Sequence, residues 1–320
     1  MNFLVRPLFV AATAGILFGP AAAEAACTVG PASDASFGSA TSFAARATSF
    51  QTSTPDAGLN CSGAVLNVLR SEDHVYATLH TANGGLRGPG GDIIPYGAYG
   101  DSTTNHPIPF NVQYDYASTQ LLNLLGLFSG PSTSLPMFFR TGTGANVAAG
   151  VYTDTITVQW AWDYCTGVGL LGVCLGRDQG SGTSTIQVTM TVTNACEVSS
   201  APDVSLGQAP TASSFMQVGQ SVTVLCTKDL AAYTVGLSAG QHAASGRRRM
   251  AGGGQALQYD VFKPGGSMVW GDAGAARVAN GAPANGLVPQ VFDYVVAVYP
   301  DQSTPPVGVY SDVVIVDVAF

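Results

Sequence analysis

Two stretches far apart in the chain carry one pattern, and any fold has to accommodate both. Cys27-Thr-Val-Gly-Pro-Ala-Ser-Asp34-Ala-Ser-Phe37-Gly38 and Cys196-Glu-Val-Ser-Ser-Ala-Pro-Asp203-Val-Ser-Leu206-Gly207 share Cys, Val, Asp, Ser, an apolar residue and Gly at identical offsets. A second pair closes each copy: Gly150-Val-Tyr-Thr-Asp154 and Gly308-Val-Tyr-Ser-Asp312, each followed by Val-rich alternation. Recurrence of both an opening and a closing motif means one domain written twice. The copies differ at their ends. The first continues past its closing strand into 183–193, Thr-Ser-Thr-Ile-Gln-Val-Thr-Met-Thr-Val-Thr, whereas the second stops with the strand that opens at Gly308.

Residues 1–25 have the form of a secretion signal: Arg6, an apolar run over 8–18, and Ala23-Glu24-Ala25 as a small-x-small cleavage site. The apolar run is shorter than a membrane span requires. The remainder divides into a first domain over 26–194 and a second over 195–320. Only 10% of residues are charged, and 39 are Gly, which suits β-structure with many tight turns. A net charge of −8 argues against a nucleic-acid partner, which would need a basic face.

Helical periodicity is nearly absent. Strand-like alternation falls at 64–69, 75–80, 108–116, 151–162 and 183–192 in the first copy, and at 221–226, 232–237, 256–262, 292–299 and 309–320 in the second. Short strands separated by Gly, Pro, Asn and Asp clusters predict an all-β protein of two sandwiches in tandem. Six cysteines in an exported chain suggest three disulfides. The repeat pairs Cys27 with Cys61 and Cys196 with Cys226 at matching places, leaving Cys165–Cys174 as a local clasp. Lipidation of Cys27 is a rival reading, but Cys196 repeats that cysteine and the preceding Glu24-Ala25-Ala26 is a poor lipidation context.

If both copies share one fold, the second lacks its final strand. Such a sandwich exposes an apolar groove and an unpaired edge. Val314, Val316, Val318 and Phe320 would face that groove, with Val313, Ile315 and Ala319 on the other side. The alternative is that an earlier segment of the second copy fills the gap.

The Cys-x-Val openings, Arg249-Met250 with Leu257-Gln-Tyr259, Val269-Trp-Gly-Asp272 and the Gly-Val-Tyr-x-Asp endings resemble the spore coat protein U family of secreted β-sandwich domains. The resemblance implies immunoglobulin-like sandwiches of the kind found in archaic chaperone–usher pili. Those lack a last strand, which a periplasmic chaperone supplies first and the next subunit later. The partners so implied are a periplasmic chaperone, an outer-membrane usher, a strand-donating next subunit and a hydrophobic abiotic or host surface. Cys27 follows the expected cleavage site at once, leaving no strand to donate. The expectation is therefore a non-enzymatic tip adhesin, secreted through the periplasm to the pilus tip, with no cofactor. The alternative is a structural coat or matrix protein built from the same tandem domains.

Three apolar, Gly-punctuated insertions of the first copy are candidate surface-binding loops. One holds Leu121, Leu122, Leu124, Leu125, Leu127 and Phe128. The second, between two strands, holds Val168, Leu170, Leu171 and Val173 inside the Cys165–Cys174 clasp. The third holds Ile93, Ile94 and Tyr96. Exposed apolar patches of this kind mark interaction surfaces, although Leu121, Leu124, Leu125 and Phe128 also match a short buried helix. Gly236-Leu-Ser238-Ala-Gly240 fits a nucleophile elbow, but a loop follows where a helix is needed. His74, His80, His106 and His242 show no metal-ligand spacing, and Arg247-Arg-Arg249 reads most simply as a solvated loop.

Overall fold

The computed structural model describes residues 26–62, 72–116, 132–168 and 173–320. The expected signal and the expected strand over 64–69 lie outside the described residues. In the first domain the strands are β1 (Ala26–Val29), β2 (Ala35–Thr41), β3 (Gln51–Thr54), β4 (Leu59–Ser62), β5 (His74–Thr81), β6 (Leu86–Arg87) and β7 (Ile93–Ile94). There follow β8 (Tyr96–Tyr99), β9 (Pro107–Ile108), β10 (Gln113–Asp115), β11 (Ser132–Ser134), β12 (Met137–Thr141), β13 (Gly150–Val168) and β14 (Cys174–Thr193). The second domain holds β15 (Cys196–Ser200), β16 (Val218–Cys226), β17 (Thr234–Leu237), β18 (Arg248–Gly252), β19 (Gln255–Phe262), β20 (Val278–Ala279), β21 (Gln290–Val298) and β22 (Val316–Ala319). One short helix, α1 (Ser42–Ala47), interrupts the strands, its first turn capped by Thr41.

Hydrogen bonding orders the first domain as β10-β5-β13-β14-β2, β1-β4-β11 and β3-β12-β8-β9. The second is ordered β15-β16-β21-β19-β18 and β20-β17-β22. Each domain has its own buried apolar cluster. The repeat is visible in the bridges: Cys27–Cys61 joins β1 to β4, and Cys196–Cys226 joins β15 to β16, both at directly opposed positions. Cys165–Cys174 closes the end of the β13–β14 hairpin.

That hairpin is the spine of the first domain. Its register runs from Gly150↔Val192 to Val168↔Cys174. Period-two alternation sends Tyr152, Ile156, Val158 and Trp160 from β13, and Ile186, Val188, Met190 and Val192 from β14, into the core. One tryptophan needs space opposite it: Gly180 faces Trp162, and a Cβ on Gly180 would lie 2.3 Å from Trp162 Cζ2, whereas Gly182 makes room for Val29 of β1. A chain without Gly180 could not seat the indole.

Two expected strands come out shorter. The run over 108–116 breaks into β9 and β10, because Asn111 takes the left-handed conformation (φ 63°) and donates its N–H to Leu79 O. The run over 309–320 is strand only as β22, paired with β17, with Ser311 bridging Ala251.

Arg247–Arg249 is not a solvated loop. Arg248 opens β18 and is only 3% exposed. Its guanidinium donates to Asp260 at 2.8 Å and to the carbonyls of Leu237, Ser238 and Trp270 at 2.7, 2.8 and 2.8 Å. Asp260 also accepts from Tyr299 Oη at 3.0 Å. One buried cation thus ties β17, β19 and the Trp270 turn together. Truncating one partner of such a pair strands the other charge in the interior. Arg248→Met is expected to cost the second domain about 3–5 kcal/mol, read by urea unfolding of the full chain. A cost below about 1 kcal/mol, the scale of a surface pair, would remove this cage from the account.

The domains touch through polar contacts. Ser42 and Thr227 share a buried hydroxyl bond at 2.7 Å. Arg46 donates to Gly286 O at 2.6 Å, Asn146 to Asn285 O at 2.9 Å, and Lys228 pairs with Asp92.

Candidate functional site: an open seam in the second domain and the far end of the first

In the first domain the last strand lies between the opening and closing motifs. β14 runs antiparallel to β13 and parallel to β2. It covers Ala35 and Phe37 of the opening motif and Tyr152, Ile156 and Val158 of the closing one, leaving them at most 8% exposed. The repeat offsets place Val204 and Leu206 where Ala35 and Phe37 stand, and Tyr310, Val314 and Val316 where Tyr152, Ile156 and Val158 stand. All five line one cleft of about 450 Å³. Its remaining walls include Val222, Leu237, Met250, Val261, Tyr294 and Val296. Every residue of that five is half-buried rather than buried. Among the described residues of the second domain, no strand occupies the place that β14 holds in the first.

The floor of the seam is fixed by a polar anchor that also repeats. Asp312 accepts from Tyr259 Oη at 2.8 Å, Gln241 N at 2.9 Å and His242 Nδ1 at 3.2 Å. Asp154 accepts from Tyr96 Oη at 2.9 Å, Asn83 N at 3.0 Å and Thr155 N at 2.8 Å. The aspartate of Gly-Val-Tyr-x-Asp is therefore a buried acceptor that pins the closing strand to a tyrosine on the neighbouring sheet. Ser238, from the apparent nucleophile elbow, accepts from Ile315 N at 2.8 Å and so holds the same closing segment.

The expected groove residues separate. Val314 and Val316 line the cleft. Val318 packs on the second core and pairs with Val235, outside the cleft lining. Phe320 is 60% exposed and belongs to neither. Period-two alternation alone would have put it on the inner face, but no described residue covers that end of the strand.

The surface-loop candidates separate as well. Ile93, Ile94 and Tyr96 do not form an exposed loop. Ile94 is fully buried, Tyr96 spends its hydroxyl on Asp154, and only Ile93 is exposed. The sheet explains why: Ile94 pairs with Leu86, and Arg87 pairs with Thr153 near the start of β13. This segment sits at the domain junction, where Asp92 meets Lys228. The signal was present in the sequence, because Ile94-Pro-Tyr96 matches Leu257-Gln-Tyr259.

The clasped hairpin lies at the opposite end. β13 leaves the junction at Gly150, extends through roughly 60 Å of strand, and β14 returns to the junction at Thr193. The β5 ladder ends at Asp163↔His74, and beyond it Cys165 N donates to Asp73 Oδ1 at 3.1 Å. Val173 is 59% exposed there. Leu170 and Leu171 lie outside the described residues, and so does the side chain of Val168. Leu121, Leu122, Leu124, Leu125, Leu127 and Phe128 also lie outside them. The flanks of these segments nevertheless converge. Tyr116 N bonds Val75 O, His74 pairs with Asp163, and Ser62 pairs with Ser132. Cys27 N bonds Asp178 on the same stretch of hairpin.

A family model of the spore coat protein U domain matches residues 12–159 and again residues 182–317. The chain belongs to the spore coat protein U domain family. No relative with a curated description matches it. Among solved structures, a crystal structure of the CsuC–CsuE chaperone–tip adhesion subunit pre-assembly complex, from archaic chaperone–usher Csu pili of Acinetobacter baumannii, matches with 23% identity and a TM-score of 0.60. The match covers 92% of this chain and 100% of that one. The CupB6 tip adhesin from Pseudomonas aeruginosa is 14% identical over 92% of this chain and 94% of its own, with a TM-score of 0.26. The first likeness shows a shared fold along nearly the whole chain. Two of the spore coat U motif residues thereby acquire structural roles: Asp154 and Asp312 anchor the closing segments.

The two anchors set an alkaline limit. Burial first, then the adjoining aspartate, pushes the Tyr96 and Tyr259 phenols far above their ordinary 10.0. The folded chain keeps these protons after the unfolded chain has released them, so their contribution is complete below pH 10 and declines as pH rises beyond it. Tyr259→Phe is expected to lose about 1.5–3 kcal/mol at neutral pH, the scale of a hydrogen bond to a charged group. It should also show a shallower fall of stability above pH 10 than the parent. Denaturant melts on both sides of that pH read the two effects, and an unchanged alkaline slope would exclude the anchor as its source.

Proposed function

We propose that this chain is the tip adhesin of an archaic chaperone–usher pilus. The second domain accepts a strand into its open seam, first from a periplasmic chaperone and then, at an outer-membrane usher, from the next subunit. The first domain, completed by its own β14, grips a hydrophobic abiotic or host surface with the apolar segments around the clasped hairpin end. The chain thus passes through the periplasm and works at the cell surface, as a binding module rather than an enzyme. The observation that carries the reading is the seam itself, flanked by the same two motifs that flank β14.

The repeat also specifies what should fit. Ile186, Val188 and Met190 stand opposite Ile156, Asp154 and Tyr152, whose counterparts are Val314, Asp312 and Tyr310. A strand running antiparallel to 310–316 and parallel to 204–207, with three alternate apolar residues, would bury roughly 1.5–3 kcal/mol per side chain. The full chain is expected to leave the periplasm in a one-to-one complex with its chaperone. A peptide copying residues 183–193 should then displace the chaperone and raise the melting temperature, whereas the same peptide carrying Val188→Asp should do neither. Stable, monomeric folding of residues 195–320 without chaperone or peptide would overturn the seam as a strand acceptor.

Adhesion is separable from assembly. Leu170→Asp with Leu171→Asp is expected to lower retention on hydrophobic plastic several-fold, since each buried leucine is worth roughly 1.5–3 kcal/mol and many tips act together. Fibre yield should stay constant, and unchanged retention would clear the hairpin end of the role.

A further inference from the structure

The outer face of the β3-β12-β8-β9 sheet carries a pocket of about 350 Å³. Its construction follows from register. Arg140 stands opposite Gln51 and Gly97, and Phe138 opposite Ser53 and Tyr99. Alternation drives Met137, Phe139 and Thr141 inward and leaves Arg140 exposed on the outer face. Gly97 puts no side chain opposite Arg140, and the Tyr99 ring folds across that space. A Cβ on Gly97 would meet Tyr99 Oη at 3.2 Å and Cε2 at 3.4 Å. An aromatic ring and a guanidinium therefore border one pocket, with the hydroxyls of Ser49 and Thr143 on its rim.

Among the described residues, no acid answers the charge at this spot. Of the described arginines, Arg177, Arg247, Arg248 and Arg277 each meet an aspartate within ion-pair distance, whereas Arg46, Arg87, Arg140 and Arg249 do not. Arg140 instead donates Nε to Ser49 Oγ at 3.1 Å and Nη1 to Thr104 Oγ1 at 3.4 Å, two neutral acceptors. Among the described residues no carboxylate pairs with it. In a chain of net charge −8, an exposed guanidinium oriented by two hydroxyls and free of carboxylates is a local positive spot. The arrangement suits a ligand with three features: a carboxylate for the guanidinium fork, hydroxyls for Ser49 and Thr143, and an apolar C–H face for the Tyr99 ring. A uronic acid residue has all three.

We propose that this pocket binds a carboxylate-bearing sugar of an acidic polysaccharide. The site lies on a different sheet from the hairpin and in a different domain from the seam, so it stands or falls apart from the pilus reading. The probe is polygalacturonate immobilised on a sensor, with dextran as the uncharged control and the full chain, with its chaperone where one is bound, as analyte. Binding to polygalacturonate and not to dextran is expected, weakening as salt is raised. Arg140→Ala should lower affinity about tenfold or more, the loss of one charge-assisted contact. Arg140→Gln keeps most of the stem without the charge and should lose as much, with both variants melting at the parent's temperature. The proposal is overturned by no binding to polygalacturonate, by equal binding to dextran, or by affinity unchanged in Arg140→Gln.

Discussion

The placement of one strand decides the character of each half of this molecule. Where β14 lies between β13 and β2, its alternating Ile186, Val188, Met190 and Val192 close the first core, and the opening and closing motifs disappear beneath it. Where no such strand lies, the equivalent motifs of the second domain stand half-exposed on either side of a cleft. The difference is not in the motifs, whose shared residues recur at identical offsets. It lies in β14, which in the first domain returns from the closing strand through a hairpin. The lining residues of that seam pack on the second core yet stay half-exposed, which leaves an apolar surface that a further strand could cover.

The anchors explain how an incomplete sandwich still holds a defined shape. Asp312 keeps the closing segment against Tyr259 and the Gln241 turn, and Ser238 holds Ile315. The buried Arg248 ties β17 to β19 from beneath. These polar bonds do not depend on the missing strand. The edge of the seam is thus laid out before anything fills it, which lowers the ordering cost of strand addition.

Much of this was legible in the sequence because it rests on periodicity and repetition. The paired Cys27–Cys61 and Cys196–Cys226 offsets, the alternating β5, β13, β14 and β21, and the unmatched 183–193 segment all appear as pattern. What the pattern could not give was burial of residues whose chemistry allows either fate. Ile94 and Tyr96 sit among glycines and prolines like a surface loop, and only the match to Leu257 and Tyr259 reveals them as core and anchor. Three consecutive arginines look solvated until Asp260 and three carbonyls are found around the middle one. Phe320 follows the alternation of β22 faithfully, yet alternation fixes a face and not what lies against it.

The same geometry separates the tasks of the two halves. The clasped end of the hairpin and the junction with the second domain lie at opposite ends of a spine that is continuous from Val168 to Gly150 and back from Cys174 to Thr193. At its base, the Asp92–Lys228 pair and the Ser42–Thr227 and Arg46–Gly286 contacts join the first domain to the second. Residues so far apart and without shared partners act independently in stability. A chain can therefore vary the residues at its far end without disturbing the seam, provided that the strand pairs of the hairpin and Gly180 opposite Trp162 are kept. The hairpin end can change under that rule, while the seam is fixed by the two repeated motifs that border it.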